Sequence, residues 1–302
     1  MLLLLAGATH AAERVRIGIY TMRLNDLNPS TTSFAADVWV WTLSSAASKL
    51  HPIQTLRLQD VKSVSADTAG EADDNGVRWG YREFAATMNK DWDTRHFPFD
   101  RHTLIVRVAE TMNDADTLVY VPDGAGSHVD PRVQIAGWRI TGERLATQIV
   151  SYPTRFGDPR PGISSSRWAE AWLYVDVRRN GLGIFLKIIM VAYIAFALVM
   201  LSFLMDAPVF SSRISMLVGC LFATVVNMRA SESVIGRTDS FTLVDQIHLL
   251  VAAFIFVSAV VALATRRAEA ERARRIDRTT ALVSIAVFVA ANIFLISRAF
   301  VS

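Results

Sequence analysis

From Leu182 to Met205 the chain carries one charge, Lys187, among aliphatic and aromatic side chains. No other feature constrains the fold as strongly. A helix needs about 20 apolar residues to cross the hydrocarbon core of a bilayer, and a soluble domain has little room for so long an apolar run. Three more candidate segments follow, so spans are expected at about 182–205, 213–235, 243–265 and 279–298. Lys187 lies near the start of its span, where a long side chain can reach the interface. Asp245 and His248 keep to the first turns of the third span, and 280–297 is free of charge.

The second span is different in kind. It opens apolar but carries Asn227, Arg229, Ser231, Glu232 and Ser233. Charge at membrane depth is costly and normally faces a protein interior or water. This helix must therefore hide one face from lipid. Orientation follows from the loop after the third span, where Arg266, Arg267, Arg272, Arg274, Arg275 and Arg278 crowd against Glu269, Glu271 and Asp277. The positive-inside rule places that loop in the cytoplasm and residues 13–180 on the other side. The opening Met1–Ala12, apolar and then small, reads as the remnant of a signal peptide, which agrees with export.

Residues 13–180 have the composition of a soluble domain. Short apolar or alternating stretches recur at Val15–Tyr20, Val38–Leu43, Gly80–Thr87, Leu104–Val108, Gln134–Ile140 and Trp172–Val177. Turn clusters such as Asn28-Pro29-Ser30, Asp73-Asp74-Asn75-Gly76 and Gly157-Asp158-Pro159 separate them. That pattern predicts a β-sandwich or barrel. The 302 residues thus divide into 1–12, 13–180 and a membrane part, 181–302. A net charge of +3, with no basic run interleaved with aromatics, argues against a nucleic-acid partner. The single cysteine, Cys220, excludes an intrachain disulfide and a cysteine-based metal cluster. No phosphate-binding glycine loop, Gly-x-Ser-x-Gly or His-Glu-x-x-His occurs. An enzyme is not expected, and no catalytic residue, metal ligand or cofactor is assigned.

One stretch carries further information: Lys90-Asp-Trp-Asp93-Thr-Arg-His-Phe97-Pro98-Phe99-Asp100-Arg-His102-Thr-Leu104. It resembles the signature loop of the Cys-loop receptor superfamily, a Phe-Pro-Phe-Asp between two cysteines with an Asp ahead of it. Lys90 and Leu104 occupy the cysteine positions, the pattern of the bacterial pentameric ligand-gated ion channels, which lack that disulfide. Asp93, Phe97, Pro98, Phe99 and Asp100 match, and His102 stands where glutamine is usual. Arg16–Tyr20 through Phe34–Trp41 is similar to the family's first two strands. Tyr174–Arg179 is similar to its last, and Gly181 stands where many relatives have proline.

The resemblance implies an immunoglobulin-like sandwich followed by a four-helix transmembrane bundle, in a homopentamer of the bacterial inner membrane with its N-terminal domain in the periplasm. Its partners would be four further copies of the chain, the lipid bilayer, permeant inorganic ions, and a small-molecule or proton ligand that the sequence does not identify. Setting Gly236 against the family's proline after the second helix makes the pore stripe Ser215, Gly219, Phe222, Val226, Arg229 and Ser233, at steps of four and three along one helical face. Phe222 with Val226 is expected to close the pore by dewetting. Unpaired, five ringed arginines would repel, by roughly 2 kcal/mol for two charges ~8 Å apart at an effective dielectric near 20; Glu232 is placed to pair with Arg229. Ser211 and Ser212 stand where cation-selective relatives carry a carboxylate, so the lean is to anions or weak selectivity.

Ligand contacts carried over from the family fall on Trp39, Glu110, Thr111, Tyr152, Arg155, Phe156 and Trp168, the last four in a Pro-, Gly- and Ser-rich flap that also holds Arg160 and Arg167. Aromatic boxes suit amines, whereas the flap's arginines permit a carboxylate. Gating is expected to run through Asp26, Phe97, Pro98, Phe99, Asp100, Arg179, Arg237 and Asp239. Two alternatives stay open: a non-conducting membrane sensor that keeps this fold, and a proton-gated channel using His96, His102 or His248.

Overall fold

The structure, a computed structural model, describes residues 11–157, 159, 166–205, 209–235 and 240–301. The expected signal remnant over 1–10, and Arg160, Gly236, Arg237 and Asp239, lie outside the described residues.

Among the described residues nine strands come first: β1 (Glu13–Asn28), β2 (Ser33–Ser45), β3 (Arg57–Leu58), β4 (Val61–Asp74), β5 (Val77–Asn89), β6 (Arg101–Ala109), β7 (Leu118–Pro122), β8 (Trp138–Tyr152) and β9 (Ser166–Arg179). They form two sheets in a sandwich-like arrangement, ordered β4-β5-β2-β1-β7 and β3-β6-β9-β8. Period-two alternation makes the core. Along β2, Phe34, Ala36, Val38 and Val40 are buried while Asp37, Trp39 and Trp41 between them are only half-buried. Leu104, Val106 and Val108 of β6 and Leu173, Val175 and Val177 of β9 supply the second sheet's buried rows. β4 and β5 are joined by Asn75 and Gly76, both at positive φ (48° and 78°), the two-residue turn that matches strand twist.

Two strand expectations differ from the structure. β4 is almost wholly exposed on both faces, so its sequence has no apolar alternation to read. The stretch expected over Gln134–Ile140 becomes a strand only at Trp138, after Gly137 turns the chain at φ 80°.

After the short α1 (Pro52–Thr55) of the strand region come four long helices: α2 (Leu182–Ser202), α3 (Phe210–Ile235), α4 (Leu243–Thr265) and α5 (Ala270–Val301). All four are long and apolar enough to cross a membrane, so the chain is a multi-pass membrane protein in architecture. α2 stops short of Met205 because its last turn tightens: Phe203 N donates to Met200 O, and Leu204 N to Leu201 O. α5 starts well before 279 because Ala270–Arg278 is a strong helix former, with Arg275 pairing Glu271 at 3.1 Å. The acidic Asp245 is explained by a capping box: it accepts from Thr242 N at 2.9 Å, and its own N donates to Thr242 Oγ1 at 3.2 Å. Inside the bundle Phe196 stacks on Phe288 (centroids 3.7 Å, 10° between planes) beside buried Leu217, Cys220 and Val251. Cys220 serves there as a small apolar residue.

The chain falls into two compact units. One holds 1–28, 32–91 and 102–177; the other holds the helices from 178 onward together with 29–31 and 92–101. Two short segments that precede the helices by many residues are folded in among them.

Candidate functional site

α3 has two faces of opposite character. Arg213, Leu217, Cys220, Thr224, Ser231 and Ile235 are buried at steps of three, four and seven residues, which is one side of a helix. The other side is open. Ser215 and Gly219 are exposed, and Phe222 and Val226 are exposed at 72 % and 50 %. A Cβ built on Gly219 would meet nothing within 4 Å. Arg229 continues the same stripe; the side chain of Ser233 lies outside what is described. The structure thus puts the expected stripe on the unpacked face of α3.

The charges divide between the two faces. Arg213 is 2 % exposed and makes a bidentate pair with Asp277 of α5: Nη1 to Oδ2 at 3.1 Å and Nη2 to Oδ1 at 2.9 Å. Its guanidinium also lies over the Phe203 ring at 5.0 Å. Arg229 is instead 77 % exposed and, among the described residues, pairs with Glu232, one turn on, at 3.1 Å. Deeper in the bundle Asn227 Nδ2 donates to Ile188 O at 2.6 Å and lies 2.8 Å from His248 Nε2. His248 Nδ1 is 2.7 Å from Val244 O. With Nδ1 donating to that carbonyl and Nε2 accepting from Asn227, both ring nitrogens are engaged in the neutral form. This polar tie joins α2, α3 and α4.

Segment 92–101 is built into the helical unit. Phe97 is fully buried and Phe99 nearly so, in a cluster with Phe185, Ile189, Ile235, Leu243, Val244 and Ile247. The Phe97–Pro98 peptide is cis. Phe99 lies against Phe185 at 5.3 Å and Phe300 at 4.3 Å between centroids. Asp100, 2 % exposed, takes both arms of Arg179 at 2.7 and 3.0 Å, while Arg179 lies over Phe97 at 5.1 Å. A Cβ on Gly181 would fall 1.8 Å from Pro98 O, so only glycine admits this approach. Leu243 N donates to Arg95 O at 3.0 Å, and Ser30 Oγ to Ile235 O at 3.2 Å. The start of α4 and the end of α3 are thereby each tied to a loop. Arg95 also pairs with Asp93, and its hydrogen bond holds the Asp93 carboxyl down at about 2. Asp26, exposed at φ 52°, belongs to the other unit, near the end of β1 and ahead of the single 3₁₀ turn Pro29–Thr31.

The expected ligand residues stand on both sheets. Trp39 on β2 stacks on Tyr81 (5.1 Å, 12°), and Tyr81 meets Trp79 at 5.0 Å. The second sheet carries Tyr152, whose OH donates to Glu170 Oε1 at 3.0 Å and whose ring meets Phe156 edge-on at 5.5 Å. Trp172 Nε1 donates to Glu170 Oε2 at 2.6 Å, and Arg107 lies over the Trp172 ring at 4.7 Å. Arg155 is exposed and Trp168 half-buried. Thr111 donates to Thr55 O at 2.5 Å. Glu110 is 1 % exposed, and its oxygens accept from Thr55, Tyr120, Asn113 and the backbone of Met112 and Asn113. A carboxylate so committed holds its own loop. Burial, with Glu110 alongside, pushes the Tyr120 phenol well above its usual range.

Sequence reasoning missed Tyr81, Trp79, Glu170, Trp172 and Arg107. The alternation of β5 and β9 was the signal that places Tyr81 and Trp172 on outward faces. Compared with family models and with curated proteins, the chain matches none.

Proposed function

We propose that the chain is one subunit of a homopentameric ligand-gated ion channel, with α3 lining a central pore and residues 13–180 forming an immunoglobulin-like, periplasmic ligand-binding domain. One observation carries this reading. A helix of membrane-crossing length exposes Arg229 and Glu232 on the face its own bundle leaves unpacked. Lipid is a poor neighbour for that face, whereas a ring of copies around water suits it. The exposed Phe222 and Val226 on the same stripe fit a hydrophobic constriction. Loops held inside the helical unit through Asp100–Arg179, Arg95–Leu243 and Ser30–Ile235 fit a gating linkage.

The charge layout bears on selectivity. At the start of α3 the exposed Ser211 and Ser212 are neutral, and Arg213 is buried and paired. Selectivity then falls to Arg229, which is more exposed than Glu232, and anions are favoured. The aromatic sets around Trp39 and Trp172 lie on different sheets, as a ligand site shared between neighbouring subunits requires.

The test is single-channel recording of the purified protein in planar bilayers under a salt gradient. Openings with an anion-directed reversal potential are expected, with Phe222→Ser leaky at rest. A silent protein whose particle images show fivefold symmetry would leave a non-conducting sensor; any other symmetry would end the proposal.

A further inference from the structure

The open side of α2 carries one charge. Lys187 is exposed in the second turn of the helix, and among the described residues no acid meets it. Leu186 and Met190 beside it are apolar and more than half exposed, so the bundle of a single chain leaves this side uncovered. α3 also has an open side, and there Glu232 is 44 % exposed. Its one described cation is Arg229, whose Nη1 lies 3.1 Å from Oε2 and 3.5 Å from Oε1. A carboxylate offers about four acceptor positions, so Glu232 has room for a second cation. A lysine without an acid and an acid with room for a lysine therefore stand on two different open faces.

Their levels in the bundle match. The start of α2 and the end of α3 share one end of it, since Phe185 and Ile189 cluster with Ile235. The bond from Asn227 Nδ2 to Ile188 O sets the two helices in register. At about 1.5 Å of rise per residue, Lys187 stands about 1.5 Å from Ile188 toward that end, and Glu232 about 7.5 Å from Asn227 toward the same end. The two backbones thus differ in level by about 6 Å. Side chains tilt toward the N-terminus of their helix, and these helices run in opposite directions. Lys187 therefore leans toward the level of Glu232, and Glu232 back toward that of Lys187. The four-carbon stem of a lysine covers what remains.

We infer that Lys187 of one copy pairs with Glu232 of the next, and that this contact fixes the level at which neighbouring copies sit. It rests on the ring of copies proposed above and names the residues that join them. The two patches differ, so the contact runs head to tail, the kind that closes into a ring. It bears on the pore as well. A Glu232 shared with Lys187 cancels less of Arg229, and that turn of α3 keeps a net positive charge.

The test uses the full chain in a Cys220→Ser background. Chains with Lys187→Cys and chains with Glu232→Cys are co-expressed, purified together and oxidised with copper phenanthroline. A reducible dimer is expected from the mixture on a denaturing gel, and none from Lys187→Cys alone. Ile194→Cys, two turns further along the same open side of α2, should give none with Glu232→Cys. Native mass spectrometry gives a second reading that needs no cysteine. Lys187→Glu should lose the assembled peak, and Glu232→Lys in the same chain should restore it, as a pair requires and a lone surface lysine does not. Crosslinking as strong from Ile194→Cys as from Lys187→Cys, or a double swap no better than the single, overturns the pair; if particle images are still fivefold, the ring of copies stands without it. Particles of any other symmetry end both.

Discussion

The two ends of α3 treat the same residue in opposite ways. Arg213 is packed away, with a carboxylate from another helix on both arms; Arg229 stands clear of the bundle and, among the described residues, pairs with its own next turn. A guanidinium can occupy a membrane helix on either basis, but the two make different demands. The first is satisfied inside one chain. The second needs water or a neighbour outside the chain's own packed face, which the proposed ring of copies would supply. α3 thus carries one arginine on its packed side and one on its open side.

The sharpest way to break that contrast is to strip Arg213 of its partner. Asp277→Ala leaves a buried charge uncompensated and should cost about 3–5 kcal/mol. The expected readout is loss of the monodisperse peak in size-exclusion chromatography, partly restored by Arg213→Met in the same chain. A protein that behaves as wild type would mean that Arg213 reaches water.

Gly181→Ala comes next. The new Cβ has no room beside Pro98 O, and forcing the segments apart should cost about 1–3 kcal/mol. The thermal midpoint should fall while far-ultraviolet circular dichroism keeps its helical signal. An unchanged midpoint would show that loop 92–101 is not held as tightly as its contacts require.

Arg229→Ala should barely register in stability, by less than about 1 kcal/mol, because an exposed pair contributes little. In the proposed channel its effect falls on permeation, where the reversal potential should move away from anions. In a Cys220→Ser background, Arg229→Cys should react with a charged, membrane-impermeant thiol reagent. No reaction in bilayers would place that face against lipid.

The smallest effect concerns Asp93. Its carboxyl is held low, so the stabilisation from Arg95 is complete above the ordinary aspartate range near 4 and is lost as pH falls toward about 2. Trp92 fluorescence should follow that loss, and Asp93→Asn should flatten it. A wild-type trace flat from pH 4 to 2 would remove the pair from the loop's support.

Much of this layout is legible in the sequence, and the exceptions share a cause. The four spans are plain because hydrocarbon imposes length and apolarity on every residue of a helix. β2, β5 and β9 are plain because each buries one face. β4 is not, since neither of its faces is buried, and an apolar count around Ile135 misplaces the start of β8. The stripe of α3 comes from the resemblance, which sets Gly236 against the family's proline, and its spacing is that of one helical face. The pairing of Arg213 does not, because Asp277 lies 64 residues away and looks like one more charge in a crowded loop. The burial of Glu110 is hidden for a similar reason: nothing local marks an acid whose partners are Thr55 and Tyr120.

The contact between Phe99 and Phe300 sets an order of events. The ribosome makes Phe99 well before any of the membrane helices exists. α2 supplies the first of its ring neighbours, Phe185, and α5 the second, so the packing around Phe99 is complete only when the last helix is in place.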